Sequence, residues 1–239
     1  MDPINLIVKY SFITNKLRYC GPHDSYLNFL NYLINPSEEL KDKIIDELKR
    51  FEGLYPYLQL IAKKTNNHEF SHEVGEAYWL GSKLLDKFDE IDLNELIMSL
   101  TKRGLPKSYA EKIANGIPKG MVPHHSFNVI YVGVGKITGS VGFNIENINN
   151  CLIRPAEVIE IKEKSVVAKH RPYMFNNNKL ILGKPIETEF DYMPEFVKLE
   201  KGEIISIHWN FVVDKLKQKE FSNLVNYTKI NVDALNNSL

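Results

Sequence analysis

Cysteine is nearly missing from this chain, with Cys20 and Cys151 the two thiols among 239 residues. Two cysteines so far apart do not make a disulfide scaffold, and the expected setting is a reducing, cytoplasmic interior. Net charge is missing too, because 30 basic side chains face 30 acidic ones. A chain without a positive field is a poor non-specific binder of nucleic acid. No apolar run approaches the roughly 18 residues of a membrane span, and the acidic start "MDPINLIVKY" lacks the basic region of a signal peptide. The expectation is therefore no nucleic-acid partner and no membrane. The chain also has no internal repeat, no C-x-x-C, no H-E-x-x-H and no EF-hand loop. "GVGKITGS" (Gly133 to Ser140) looks like a phosphate loop but lacks the Walker spacing.

The rest is ordinary: 44% apolar and 25% charged residues fit a globular chain with a sizeable core. The first half reads as helices. In "NPSEELKDKIIDELKRF", Asn35 is the expected N-cap, Pro36 opens the helix, and Leu40, Ile44, Leu48 and Phe51 form one stripe. "HDSYLNFLNYLI" offers Asp24 as a cap and Tyr26, Leu27, Leu30 and Leu33 as a face. "SHEVGEAYWLGSKLLDKF" starts at Ser71 and reads as one helix. "FEGLYPYLQLIA" reads as core, with Leu54, Tyr57, Leu58 and Ile61 at helical spacing and Pro56 in the first turn. Short helices fit "DLNELIMSLTKR" and "PKSYAEKIANG", with Gly104 and Gly116 expected as left-handed caps.

After Lys119 the pattern changes. "HHSFNVIYVGVG" has the β-branched and aromatic content of a strand, and "KITGSVGFNIENINN" reads as a link holding one short helix. Short strands follow: "CLIRPAEVIEIK", "SVVAKHR", "KLILG", "EFVKLE" and "GEIISIHWNFV", with turns at Glu163-Lys164, Asn176–Asn178 and Lys201-Gly202. Phe221, Leu224, Val225 and Tyr227 stripe a terminal helix. The expected fold is α+β: a helical domain over 1–119, a connecting strand and linker over 120–149, and a small SH3/OB-like β-barrel with a C-terminal helix over 150–232.

Chemistry is sparse. In "GEIISIHWNF" strand alternation puts Ile205, Ile207, Trp209 and Phe211 on one face and Ile204, Ser206, His208 and Asn210 on the other. The all-apolar set is the natural core face, so His208 taken alone reads as a surface or edge histidine. His170 reads as a turn residue, and His68 precedes the Ser71 cap and so makes no helical pair with His72. In the helical half, "RYCGPHD" sets Cys20 before a Gly-Pro turn and near His23. "PHHSF" sends His124 and His125 to opposite faces of the expected strand, and Glu76 precedes Trp79 in "EAYWLG". Cys20 with His124 or His125, and Glu76 beside them, is a candidate transition-metal or thiol–base site. The bland alternative is a buried cysteine and satisfied histidines.

"CLIRPAEVIEI" and "VKLEKGEIISIHWNFVVDKLKQKEF" together resemble the HypC/HupF-type hydrogenase assembly chaperones. Cys151, Leu152, Pro155 and Val158 match the family's opening pattern, and Gly202, Glu203, His208, Phe211, Lys215 and Leu216 its closing one. The resemblance covers roughly residues 150–230. It implies that Cys151 and His208 bind iron, in the family the Fe(CN)2CO unit, and that the partners are hydrogenase maturation proteins or a hydrogenase large-subunit precursor. A soft thiolate and an imidazole suit iron and leave positions open for diatomic ligands. Two departures stand out: Cys151 is internal where the family's cysteine is N-terminal, and Ala156 replaces the family's glycine.

The whole chain also resembles a prokaryotic family of no settled activity, through "RYCGP", "FEGLYPYL", "EAYWLG" and "HHSF". Three readings stay open. One is a HypC-like cofactor chaperone or scaffold. Another is a metal- or thiol-dependent enzyme, with Cys20 and His125 as thiol and base, or His124 and His125 as ligands, and the barrel as docking module. The third is a pure interaction protein.

Overall fold

Several helix starts in this chain follow the supply of side-chain oxygen to the unpaired amides of a first turn. The expected cap Asp24 does not: it is left-handed and its side chain makes no cap bond. The computed structural model describes residues 2–239. Its helical half runs α1 (Asn5–Lys16), α2 (Ser25–Ile34), α3 (Glu38–Leu48), α4 (Tyr55–Thr65), α5 (His72–Trp79), α6 (Glu90–Leu100), α7 (Lys107–Ala114), α8 (His125–Phe127) and α9 (Ile145–Cys151). Ser71 caps α5 as expected, its hydroxyl accepting from the Val74 amide. Asp89 caps α6 in a capping box with Asp92. The cap of α3 is Ser37, not Asn35, because the Ser37 hydroxyl reaches the Leu40 amide.

Several expectations need correction. The run from His72 to Phe88 is not one helix: Gly81, at φ +86°, breaks it, and Lys83–Lys87 continues as a 3-10 segment. A Cβ there would strike the Tyr227 ring at 2.4 Å, so the bend is needed for that close approach. On α2 the buried ring residues are Phe29 and Tyr32, while Leu27 is exposed. The strand expected over "HHSFNVIYVGVG" is helical, α8 passing into a π-helix over Asn128–Gly133. Its β-branched residues are buried on all sides, so tertiary packing overrides strand propensity. Gly104 is a left-handed cap, whereas α7 ends at Asn115 in right-handed conformation.

The strands are β1 (Arg154–Ile161), β2 (Ser165–His170), β3 (Tyr173–Asn176), β4 (Lys179–Leu182), β5 (Ile186–Asp191), β6 (Ile204–His208) and β7 (Phe211–Lys215), followed by α10 (Gln218–Asn237). The chain is α+β. Five strands close on themselves in the order β1-β2-β5-β7-β6, and β3-β4 is a separate hairpin. "EFVKLE" forms no strand, while the charged "IETEFD" forms β5, pairing with β2 along its whole length. The expected long strand through His208 is a hairpin. Trp209 and Asn210, at φ +49° and +56°, form its two-residue turn, the geometry of a type I′ connection.

Two cores result. Ala156, Val158, Val166, Ala168, Phe190, Ile205, Ile207 and Val212 fill the closed sheet. A larger core joins the helices to the sheet's other side and includes Trp209, Phe211, Val213 and Leu224. Helix α1 runs through this second core, with Ile7, Val8, Tyr10 and Phe12 buried.

Candidate metal centre

The C-terminus of α9 gathers the site. A helix leaves its last carbonyls without intrahelical partners, and here three side or main chains from elsewhere supply them. The Asn149 carbonyl accepts from Arg154 Nε at 3.0 Å. The Asn150 carbonyl accepts from the Trp209 amide at 2.6 Å. The Cys151 carbonyl faces His125 Nε2 at 2.9 Å. Asn144 caps the other end of α9 through the Asn147 amide. Cys151 therefore closes a helix rather than opening a strand, and β1 begins three residues later.

His125 Nε2 lies 3.9 Å from the Cys151 sulfur. The Trp209 turn, pinned to Asn150, brings in His208 from the end of β6. The ligand atoms of His125, Cys151 and His208 all fall within 4.8 Å of one another, and all three residues are buried. Tetrahedral coordination at ordinary metal–nitrogen and metal–sulfur lengths sets ligand atoms roughly 3.3–3.6 Å apart. A small inward shift of side chains would bring the trio there.

His208 is not a surface histidine. Every residue from Ile205 to His208 is buried, because the face carrying Ser206 and His208 packs on the helical half. Ser206 bonds the Tyr10 hydroxyl of α1 at 2.8 Å. Neither ring nitrogen of His208 has a hydrogen-bond partner of ordinary geometry among the described residues, although the Tyr10 backbone is near enough to offset part of the burial. Burial, then the neighbouring His125, push its pKa well below the usual histidine value, so the imidazole is neutral. A buried imidazole with two idle nitrogens is a costly arrangement unless something binds it.

His125 carries a related deficit. Its Nδ1 lies 3.0 Å from the Tyr78 hydroxyl, which donates to the Gly53 carbonyl at 2.8 Å. Burial lowers its pKa to about 4, against a partial counter-effect from the Cys151 carbonyl, so the ring holds one proton at neutral pH. The Gly53 and Cys151 carbonyls only accept, so these two ends take the Tyr78 and His125 protons. The contact between Tyr78 and Nδ1 is then left with none. A cation held by Nε2 would remove the conflict once the Cys151 carbonyl, which now occupies that direction at 2.9 Å, turned aside. The ring proton would sit on Nδ1 and donate to Tyr78, and Tyr78 would donate to Gly53. That is the outer-sphere support typical of metal-bound histidine.

The two free cysteines are held as neutral thiols. Burial, then Cys20, push the Cys151 pKa up to about 12, and Trp209 offsets part of this. Cys20 is also pushed up to about 12, by burial and then by Glu52, whose carboxylate accepts from the thiol at 3.5 Å and from the Gly21 amide at 2.8 Å. Thiolate at Cys151 therefore requires a compensating cation.

A cavity of about 70 Å³ adjoins the trio, lined by Cys20, Tyr78, Trp79, His125, Cys151 and Trp209 among others. It reaches the surface beside the Gly133–Ser140 loop, where Thr138 and Ser140 are exposed. Ser140 donates to the Tyr19 carbonyl at 3.1 Å and ties this loop to the Cys20 segment. The run that mimics a phosphate loop is thus the rim of the cavity. Trp79 packs against both imidazoles, 4.6 Å from the His125 ring and 5.8 Å from that of His208.

Cys20 and Cys151, one from each half, share this cavity. Cys20 and His125 do not form a thiol–base pair, since the thiol bonds Glu52 and both His125 nitrogens face other groups. His124 stays outside the trio: its Nδ1 meets the Ser126 hydroxyl at 2.8 Å and its ring neighbours Tyr227. The two histidines diverge because they open a helix, not because strand faces alternate. Glu76 faces Lys219 at 4.0 Å, His23 is exposed, and His170 is a buried strand residue bonded to Arg154. Sequence reasoning missed Glu52, Tyr78 and Trp209 as parts of the site. The first two sit in "FEGLYPYL" and "EAYWLG", motifs that mark the whole-chain resemblance and that converge, with "RYCGP" and "HHSF", on this cavity.

Fold and site together define an α+β protein with a buried two-histidine, one-cysteine group at the seam between helices and closed sheet. The chain belongs to the family of unknown function DUF6390, which matches residues 4–239. No curated protein and no solved structure matches it significantly. Among the described residues no helix is long and apolar enough to cross a membrane.

Proposed function

We propose that this protein is a metal-handling accessory factor of hydrogenase maturation, in which Cys151, His208 and His125 hold iron at the seam between its halves. The observation that carries the reading is the convergence of the HypC-like pair, Cys151 and His208, with a third donor from the helical half. Under this reading the closed five-stranded sheet is the SH3/OB-like barrel of the resembled family, working in a reducing cytoplasm that keeps both thiols free. The thiolate would donate electron density and the neutral imidazoles would complete a three-donor set. Three positions of a six-coordinate iron would be left for two cyanides and one carbonyl, beside the small cavity that His125 and Cys151 line. That cavity suits small ligands such as the diatomics of an Fe(CN)2CO unit. Its burial favours a firmly held group over rapid exchange, with a hydrogenase precursor or maturation protein as partner.

The test is anaerobic purification with metal analysis and infrared spectroscopy of the wild type, Cys151→Ala and His125→Ala. About one iron per chain with carbonyl and cyanide bands, lost in both variants, is the expected result. Iron without those bands removes the hydrogenase reading and leaves the metal site. No metal in any preparation removes both.

A metal-dependent enzyme is the second reading, favoured by Cys20 on the cavity wall, its thiol bonded to Glu52 behind it. Its place is the seam between the halves rather than the helical half, because His125 is shared with Cys151 and His208. Metal retained in Cys20→Ala together with loss of a hydrolytic or redox activity would select it.

A further inference from the structure

Arg154 is a buried cation without an acid beside it. It is 7% exposed, its Nε donates to the Asn149 carbonyl, and its Nη1 donates to His170 Nδ1 at 2.6 Å. His170 in turn bonds the Thr188 hydroxyl through Nε2, so it serves as a neutral acceptor. Burial brings the Arg154 pKa down to about 10, and no carboxylate is among the groups that act on it. It remains charged at neutral pH. Buried charges are ordinarily paired, and Nη2 has no hydrogen bond among the described residues.

Arg154 lines a second cavity, of about 550 Å³, between β1, the β3-β4 hairpin and α10. That volume lies within the range of small-molecule sites. Leu180, Phe221, Leu224 and Val225 give it apolar walls. Thr228 lines it too, 5% exposed, with a buried hydroxyl that has no partner. At the rim, Lys169 and Arg171 are exposed cations and Glu157 is an exposed acid; Lys229 is paired with Asp233.

One unpaired cation and hydrocarbon walls call for a ligand with an anionic head and an apolar body. A neutral apolar ligand would leave Arg154 unpaired. A peptide strand added to β4 is disfavoured, because Asn236 already accepts from the Leu180 amide at 2.8 Å and donates to its carbonyl at 2.9 Å.

We propose that this cavity binds a long-chain carboxylate, its head group on Arg154 and its chain along Leu180, Phe221, Leu224 and Val225. The site is separate from the metal group and does not depend on the function proposed above.

Calorimetric titration of the full chain with sodium decanoate, decanol and decyl phosphate tests it, using wild type, Arg154→Gln and Val225→Trp. Val225 is 40% exposed, so its replacement fills the cavity from the solvent side and leaves the fold intact, as circular dichroism will show. Decanoate should bind with a negative heat-capacity change and at least tenfold more tightly than decanol. Arg154→Gln should abolish that preference while decanol still binds, and Val225→Trp should lose both ligands. Equal affinity for decanoate and decanol in the wild type overturns the proposal, as does decanoate binding that survives in folded Val225→Trp or no binding at all. Decyl phosphate binding more than tenfold tighter than decanoate overturns the carboxylate assignment.

Discussion

The hydroxyls of Tyr10 and Ser206 lie 2.8 Å apart, and this contact fixes which face of β6 meets helix α1. Ser206 also donates to the Asp214 carbonyl at 3.2 Å, and Tyr10 stacks on Trp79 at 5.6 Å. His208 is two residues further along the same face, so the Tyr10–Ser206 bond sets its aim toward His125. A double-mutant cycle with Tyr10→Phe and Ser206→Ala should return a coupling of about 1 kcal/mol in urea unfolding. Additive single effects would mean that the contact contributes nothing to docking.

Metal should stabilise the folded chain strongly, because the three donors meet only when both halves are packed. With free metal at a thousand times its dissociation constant, linkage gives about 4 kcal/mol. For a chain of this size that raises the melting temperature by roughly 8–16 °C. Calorimetry in iron(II) or zinc(II) against chelator checks it, and His208→Ala should erase most of the difference. An unchanged melting temperature would count against the site.

Acid should unfold the metal-free protein early. The folded pKa values of His125 and His170 are lowered to about 4 and that of His124 to about 3, all chiefly by burial, and that of His208 lies well below the usual value. Unfolding returns each to an ordinary value near 6.5. Between these limits the unfolded chain binds more protons, so stability is full above pH 6.5 and falls as pH drops toward 4. The slope is about 1.4 kcal/mol per pH unit for each such histidine. Urea midpoints at pH 7, 6 and 5 should decline accordingly; a flat profile would refute the buried neutral histidines.

Gly21 supports the Cys20 turn by having no side chain. At φ +80°, a Cβ there would lie 2.3 Å from the fully buried Phe51 ring. Gly139, at φ +70°, has nothing within 4 Å. Gly139→Ala should therefore cost about 1–2 kcal/mol for backbone conformation alone. Gly21→Ala should cost about 2–4 kcal/mol, the overpacking adding to it. Equal losses would show that the Phe51 contact is without effect.

The thiols should be sluggish. At pH 8, neutral forms held by pKa values of about 12 should slow iodoacetamide at least about a hundredfold relative to an unfolded cysteine. Half-buried Cys20 should react before Cys151, and metal should protect Cys151 further. Mass spectrometry of peptides after timed alkylation reads this directly; rapid labelling of Cys151 would contradict its burial.

Local chemistry made much of the framework legible. The Ser71 cap, the Gly104 turn, the core stripe of Ile44, Leu48 and Phe51, the Asn177–Asn178 turn and the terminal helix all follow from residues within a few positions of one another. Helix α1 escaped notice because "NLIVKYSFITNK" mixes polar and apolar residues without a single stripe, and tertiary packing buries even Ser11, Thr14 and Asn15. The same holds for "NVIYVG", where β-branched residues read as strand and fold as π-helix. In β5 the charged "IETEFD" hides a strand whose pairing partner lies elsewhere in the chain.

The sequence by itself determined which residues carry chemistry: two thiols and a few histidines, with no acidic metal loop or phosphate loop among them. Tertiary structure alone decided which of them meet. Alternation along β6 separates His208 from the apolar face but cannot say whether the other face sees water or a second layer. Adjacent histidines differ in role because the end of α9 claims His125, while Ser126 and Tyr227 surround His124. Such contacts join positions far apart along the chain, and they depend on packing between two cores that no local pattern encodes.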